Sequence, residues 1–245
     1  LQLVTLWATW CAPCIQELQA LHAKSAELKQ AGIVWHHVNV DDPEVTSSSV
    51  RLGKARSTLE RIGVRHPTLL ATTASLECLD VVQKALVTRQ VAMPVPCSFL
   101  VDSAGRLVAV YKGDTSPETI LRDASQWQET KHRDPRDPAV PFPGRWATNP
   151  FPPDLMAVVR GLLEINRPQE ALTYLAANVP SKQPPPPITS QQLISTYIEI
   201  SRELRVRGKL EPAEMALRKV LEIDRDMLFE ATNLCEVLLQ QNRIA

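Results

Sequence analysis

The sequence has no surplus of charge. Its 27 Lys and Arg offset 27 Asp and Glu for a formal net charge of 0, and the two signs are dispersed along 245 residues. A protein that neutralises phosphates shows a basic surplus or stripe, so no nucleic acid is expected as a partner. Long apolar runs are missing as well. None approaches the roughly 18 residues that cross a bilayer, and no charged segment followed by an apolar stretch and a cleavage site opens the chain. No membrane segment is therefore expected in it. Cysteine is sparse: five, an odd number, allow one local pair with three left over and cannot build the dense framework of a small secreted scaffold. What remains is a 44% hydrophobic composition in a chain long enough for two modest cores. Leu1 to Ala8 (LQLVTLWA) enters a strand with no preceding turn, and QQNRIA stops midway through a helical pattern, so both ends read as cut from a longer protein.

The first strand is apolar on successive residues, as a strand covered on both faces would be, and runs into Trp10-Cys11-Ala12-Pro13-Cys14. Ile15, Leu18, Leu21, Ser25 and Leu28 then mark one helix, with Gly32 as its stop. Ile33 to Val40 (IVWHHVNV) reads as a second buried strand, and Leu52, Ala55, Leu59 and Ile62 as a helix stopped by Gly63. His66 to Ala71 reads as a short strand or ordered loop, and Leu76 to Ala85 as a further helix. Cys97 to Val101, a turn at Asp102 to Gly105, and Arg106 to Tyr111 predict a hairpin, and a helix from Pro117 to about Trp127 closes an α/β unit over residues 1–127.

Residues 128–152 read as a linker or strap, because seven prolines between His132 and Pro153 forbid any regular element there. From 153 to 245 the periodicity is helical. Tyr197, Leu204, Gly208, Ala213, Leu217, Val220 and Leu221 occupy a 34-residue frame that starts at Ile194. Leu162, Ala171, Leu175 and Asn178 match a preceding unit, offset by the proline-rich loop Ser181 to Ser190, and Phe229 to Ala245 begins another. This half resembles the tetratricopeptide repeat family, which implies stacked helical pairs and a protein partner. Ser201 and Cys235 stand where that family has glycine or alanine, and Arg225 where it has proline.

The chemistry is concentrated in Cys11 and Cys14. Two intervening residues place both sulfurs on the first turn of the following helix, close enough to bond. Backbone N–H groups at that helix start favour a thiolate on Cys11, which becomes the nucleophile toward a disulfide, while Cys14, further inside, resolves the mixed disulfide. Pro13 withholds one N–H donor from this turn. The pair could also be half of a zinc site, or a structural or inactive pair. Zinc needs four ligands, and the other cysteines are single, while His36 and His37 leave opposite faces of one strand. Metal is not expected, and no cofactor is called for.

The run Leu6-Trp7-Ala8-Thr9-Trp10-Cys11-Ala12-Pro13-Cys14 with Glu17, then Pro96-Cys97-Ser98-Phe99-Leu100-Val101-Asp102, Gly105 and Gly113, resembles the thioredoxin superfamily and within it the TlpA/ResA-like reductases. The resemblance covers residues 1–127. It implies an α/β thioredoxin-like fold, a thiol-disulfide oxidoreductase acting on protein or peptide thiols and disulfides, a cis Pro96 opposite Cys11, and a backbone at Val95 that pairs with substrate. Trp10 and Pro13 would then belong to the substrate groove. The sequence departs from thioredoxin at Thr5, where an aspartate is usual, at Gln19, where proline is expected, and in lacking the usual first strand. Such a domain joined to tetratricopeptide repeats is similar to large exported bacterial proteins, which implies an extracytoplasmic location.

Glu17, one helical turn after Cys14, is the acidic candidate for proton transfer; the alternative is a solvated residue opposite Leu18 and Leu21. Cys97, Cys78 and Cys235 read as packing cysteines, Trp7 as core, Trp10 as partly exposed, and His22 as a surface residue. Two functions compete: the oxidoreductase, and a non-catalytic interaction module on a thioredoxin-like scaffold. The intact cysteine pair beside Pro96 favours the first. A peroxidase, which needs one attacking cysteine with Thr and Arg partners, lacks its pattern here.

Overall fold

The computed structural model describes residues 1–44, 47–86, 92–129, 154–180, 184 and 187–242. The chain divides into two units, residues 1–80 with 91–150, and residues 81–90 with 151–245.

The first unit is built on a five-stranded mixed sheet. Its elements are β1 (Gln2–Trp7), α1 (Ala12–Ala23), α2 (Ser25–Gln30), β2 (Val34–Asn39), α3 (Ser48–Arg61), β3 (Leu69–Leu70), the first part of α4 (Thr73–Leu86), β4 (Cys97–Val101), β5 (Leu107–Lys112) and α5 (Pro117–Glu129). The strand order is β3-β2-β1-β4-β5. β1 is central, parallel to β2 and antiparallel to β4, and this is why its sequence is apolar without alternation. Leu3 and Trp7 lie on the face that carries Leu21, Leu28, Leu18, Leu59 and Ile120, whereas Leu6 packs with Cys97 and Phe99 on the other, beside Leu76 and Leu79 of α4. Each such fully buried side chain contributes about 1.5–3 kcal/mol relative to exposure. This is a thioredoxin-like fold.

The register decides the site. Thr5 on β1 stands between His37 on β2 and Ser98 on β4, so one row of polar side chains crosses the middle of the sheet.

The helix expected through Leu28 is two helices. Its ladder breaks at Lys24, whose N–H reaches the carbonyls of both Ala20 and His22, an interruption that a continuous apolar period does not reveal. The segment His66 to Ala71 contains only the two-residue β3, and α4 starts at Thr73, three residues before its first apolar marker.

In the second unit α6 (Leu155–Glu164), α7 (Pro168–Asn178), α8 (Ser190–Val206), α9 (Leu210–Ile223) and α10 (Leu228–Gln240) are joined mostly by short turns. Consecutive helices pack on one another, α6 on α7, α8 on α9 and α9 on α10. Ala171 and Ala213, the small residues expected at close helix approaches, are fully buried with Leu175, Tyr197, Leu204 and Leu217. Thr189 and Gln192 close a reciprocal capping box at the start of α8. Two cysteines depart from their expected packing. Cys235 is exposed, because it lies about 200° around α10 from the buried Val237. Cys78 is half-buried, since Leu76 and Leu79 take the inward face of α4. The expected linker 128–152 lies outside the described residues except at its first two positions, where α5 continues to Glu129; residues 181–183, 185 and 186 of the proline loop lie outside them as well.

Candidate functional site

The end of β1 delivers the chain into the cysteine pair. Trp7 is wedged into the core and Trp10 stands 73% exposed, so the two residues between them carry the backbone from interior to surface. Cys11 caps α1 in an extended conformation, with its sulfur accepting the N–H of Cys14 at 3.3 Å. Cys11 and Cys14 form a disulfide with their Cα atoms 5.3 Å apart. Pro13 sits in the first turn of the helix. When the pair is reduced, the Cys14 N–H and the helix start favour a thiolate at Cys11 over one at Cys14.

Opposite the pair, the Val95–Pro96 peptide bond is cis, and the carbonyl oxygen of Val95 lies 3.7 Å from the Cys11 sulfur. Val95 is half-buried and Pro96 buried, while Ala12 and Pro13 are exposed. Trp10, Pro13 and Val95 thus reach the surface around Cys11, which is itself only 4% exposed.

Behind the disulfide lies a polar layer. Glu17 is 3% exposed, which removes the solvated alternative. Its Oε1 lies 3.4 Å from the Ser98 hydroxyl, Ser98 reaches Thr5 Oγ1 at 3.0 Å, and the Trp35 indole N–H donates to the same Thr5 oxygen at 3.2 Å. Burial pushes the Glu17 carboxyl up to about 7, with the charge of Asp114 adding to it, while Ser98 and the Thr115 backbone pull it back. Beside Ser98, burial pushes the Cys97 thiol up to about 11, so it is protonated at neutral pH.

On the other side of Thr5, His37 is 1% exposed and burial lowers it to about 4, helped by His66, His22 and His36. Its ring lies 5.0 Å from that of Trp35, which is also edge-on to His66, and His22 stacks edge-on against His66 at 5.7 Å. His22 is therefore half-buried against a second imidazole rather than a surface residue. Among the described residues no three His, Cys, Asp or Glu side chains converge as a metal ion would require. The sequence assigns no role to Trp35, weighs His37 only as a metal ligand and shows Ser98 only within the thioredoxin-like run. The signal that could find them is a polar group at an inward position of an otherwise apolar strand.

Residues 2–110 match the model of the AhpC/TSA family. Thiol-disulfide oxidoreductase ResA of Bacillus subtilis (strain 168) is 26% identical over 121 residues, 49% of this chain and 56% of that protein. ResA of Geobacillus kaustophilus (strain HTA426) is 25% identical over 119 residues, 49% of this chain and 58% of that one. The likeness is to thioredoxin-fold proteins of the AhpC/TSA superfamily, with ResA-type oxidoreductases as distant relatives. The chain spans just over half the length of these curated relatives. Among solved structures, StoA from Bacillus subtilis aligns with a TM-score of 0.37 and 17% identity over 49% of this chain and 79% of that one. A thioredoxin-family thiol:disulfide interchange protein from Chlorobium tepidum TLS aligns with a TM-score of 0.41 and 19% identity over 51% of this chain and 77% of the other. Among the described residues no helix is long and apolar enough to cross a membrane.

Proposed function

We propose that the chain is a thiol-disulfide oxidoreductase that reduces protein or peptide disulfides through the Cys11/Cys14 couple. The observation that carries this reading is the disulfide at the start of α1 with the Val95 carbonyl 3.7 Å from Cys11. The Cys11 thiolate attacks a substrate disulfide, forming a mixed disulfide and expelling one substrate thiolate, which takes a proton from solvent. Cys14 gives its proton to the Glu17 carboxylate and attacks the Cys11 sulfur. That step expels the second substrate thiolate and leaves the Cys11–Cys14 disulfide, so two electrons pass to the substrate. Trp10, Pro13, Val95 and Pro96 form the substrate groove, with the Val95 backbone pairing with an extended segment. The reading assigns residues 1–127 to the exchange domain and 153–245 to tetratricopeptide-type repeats that hold a protein partner. The distant likeness to ResA-type proteins supports an extracytoplasmic setting.

Replacing Cys14 by Ala leaves attack in place and removes resolution, so covalent complexes with substrate should accumulate, whereas Cys11→Ala should trap none. Acceleration of insulin reduction by dithiothreitol provides the turnover assay. A folded protein that neither accelerates insulin reduction nor forms mixed disulfides as the Cys14→Ala variant sinks the proposal.

A further inference from the structure

The row Trp35, Thr5, Ser98, Glu17 runs from the second strand, across the central strand and the fourth, to the helix that carries the cysteines. Three of its members are almost wholly withdrawn from water, Thr5 and Ser98 at 0% exposure and Glu17 at 3%, while Trp35 is half-buried. Inside such a layer each hydroxyl proton must be accounted for. An indole N–H can only donate, so Trp35 occupies one acceptor site of Thr5 Oγ1 at 3.2 Å. Ser98 has a single proton and two oxygens within reach, Thr5 Oγ1 at 3.0 Å and Glu17 Oε1 at 3.4 Å. Ser98 donates toward both, so its one proton is shared between Thr5 Oγ1, which the Trp35 N–H also reaches, and Glu17 Oε1. Of these two acceptors only Glu17 can carry charge, and the Ser98 proton serves it best as a carboxylate.

We propose that Ser98 is a positioning residue for Glu17, its hydroxyl, set between Thr5 and Glu17, holding Glu17 as the carboxylate that receives the Cys14 proton. The inference rests on the proposed role of Glu17 in exchange. The Thr115 backbone also favours the charged form, while burial, the larger effect, opposes both. Asp114, in the turn before α5, disfavours a second negative charge, and Cys97 beside it is a neutral thiol. Lys24 and Glu118, of opposite charge, line the groove of about 410 Å³ that also touches Glu17. His37, next to Thr5 in register, is neutral above its lowered midpoint of about 4. Burial alone would keep Glu17 protonated and unable to accept anything; the hydrogen bonds from Ser98 and the Thr115 backbone return it to the neutral range, where a proton acceptor is effective.

The test reads Glu17 itself, in the oxidised full chain, by its carboxyl carbon resonance or its carbonyl stretch against pH. Ser98→Ala should raise the Glu17 midpoint by about one to two pH units, the loss expected for a hydrogen bond to a charged group. Ser98→Thr, which keeps the hydroxyl, should return it toward the original value. A strand-linking role for Ser98 would move neither midpoint. An unchanged or lowered midpoint in Ser98→Ala overturns the proposal. No turnover enters the measurement, so its failure is distinct from failure of the insulin and trapping experiments.

Discussion

Replacing Glu17 by Gln should change how the stability of the oxidised protein depends on pH, with a sign and a window that follow from the site. The folded state holds the Glu17 proton up to about 7, against a carboxyl value of 4.5. The unfolded chain therefore releases its proton first. The contribution of this group to stability is complete below about 4.5, falls as pH rises, and has levelled off above about 7. That interval of about 2.5 pH units, at about 1.4 kcal/mol each, amounts to roughly 3 kcal/mol. His37 does the reverse. Burial lowers it from 6.5 to about 4, so the unfolded chain binds a proton that the folded protein refuses, and its contribution is complete above about 6.5 and lost as pH falls toward about 4. Between 4.5 and 6.5 the two slopes oppose each other with similar size, and the original protein gains little from either direction. Glu17→Gln removes one slope and leaves the other. Urea unfolding followed by tryptophan fluorescence at closely spaced pH values should show the variant gaining roughly 3 kcal/mol between pH 4 and 6.5 where the original stays nearly flat. Groups common to both proteins cancel in the difference curve. If the two proteins run parallel from pH 4 to 7, the buried carboxyl does not hold its proton and the reasoning about the polar layer fails.

Further outcomes follow from single features. The Cys11/Cys14 couple should equilibrate with glutathione or a reference dithiol at a reducing potential, as its resemblance to reductases implies, and a value near about −120 mV would place it instead among strong oxidants. Gly161 on α6 has its missing Cβ only 2.7 Å from Val81 Cγ1, within the second unit. Gly161→Ala should lower the unfolding temperature of that unit, because overpacking costs about 1–3 kcal/mol while the gain in helix propensity is about 1 kcal/mol; a rise would refute the clash.

Much of the fold is written locally. β1, β2 and the β4–β5 hairpin follow from apolar runs bounded by turn residues, and Gly32 and Gly63, at φ +69° and +75°, sit where a left-handed residue must end a helix. What is not local is not legible. The break at Lys24 costs the apolar period nothing, since Leu21 and Leu28 both remain buried, and so no residue type marks it. Cys235 shows the limit of the repeat frame. A residue's position in a repeat tells where a neighbour would pack on it, and here that side of α10 faces solvent.

The site divides in the same way. Cys11, Pro13, Cys14 and Glu17 are read from one helical turn and the next, because spacing carries their relation, whereas Pro96 enters only through the resemblance to the thioredoxin superfamily. Ser98 and Thr5 are 93 residues apart and meet only through antiparallel pairing of β1 with β4, while Trp35 reaches Thr5 through parallel pairing on the other side. Threonine where the resemblance leads one to expect aspartate reads as a loss when taken alone. In the folded sheet it is an exchange of one ionisable group for a neutral hydroxyl that links two others. Among the described residues the carboxylate that meets this row is then the one on α1, and its contact with Ser98 is set by strand register, a property that no single segment of the sequence contains.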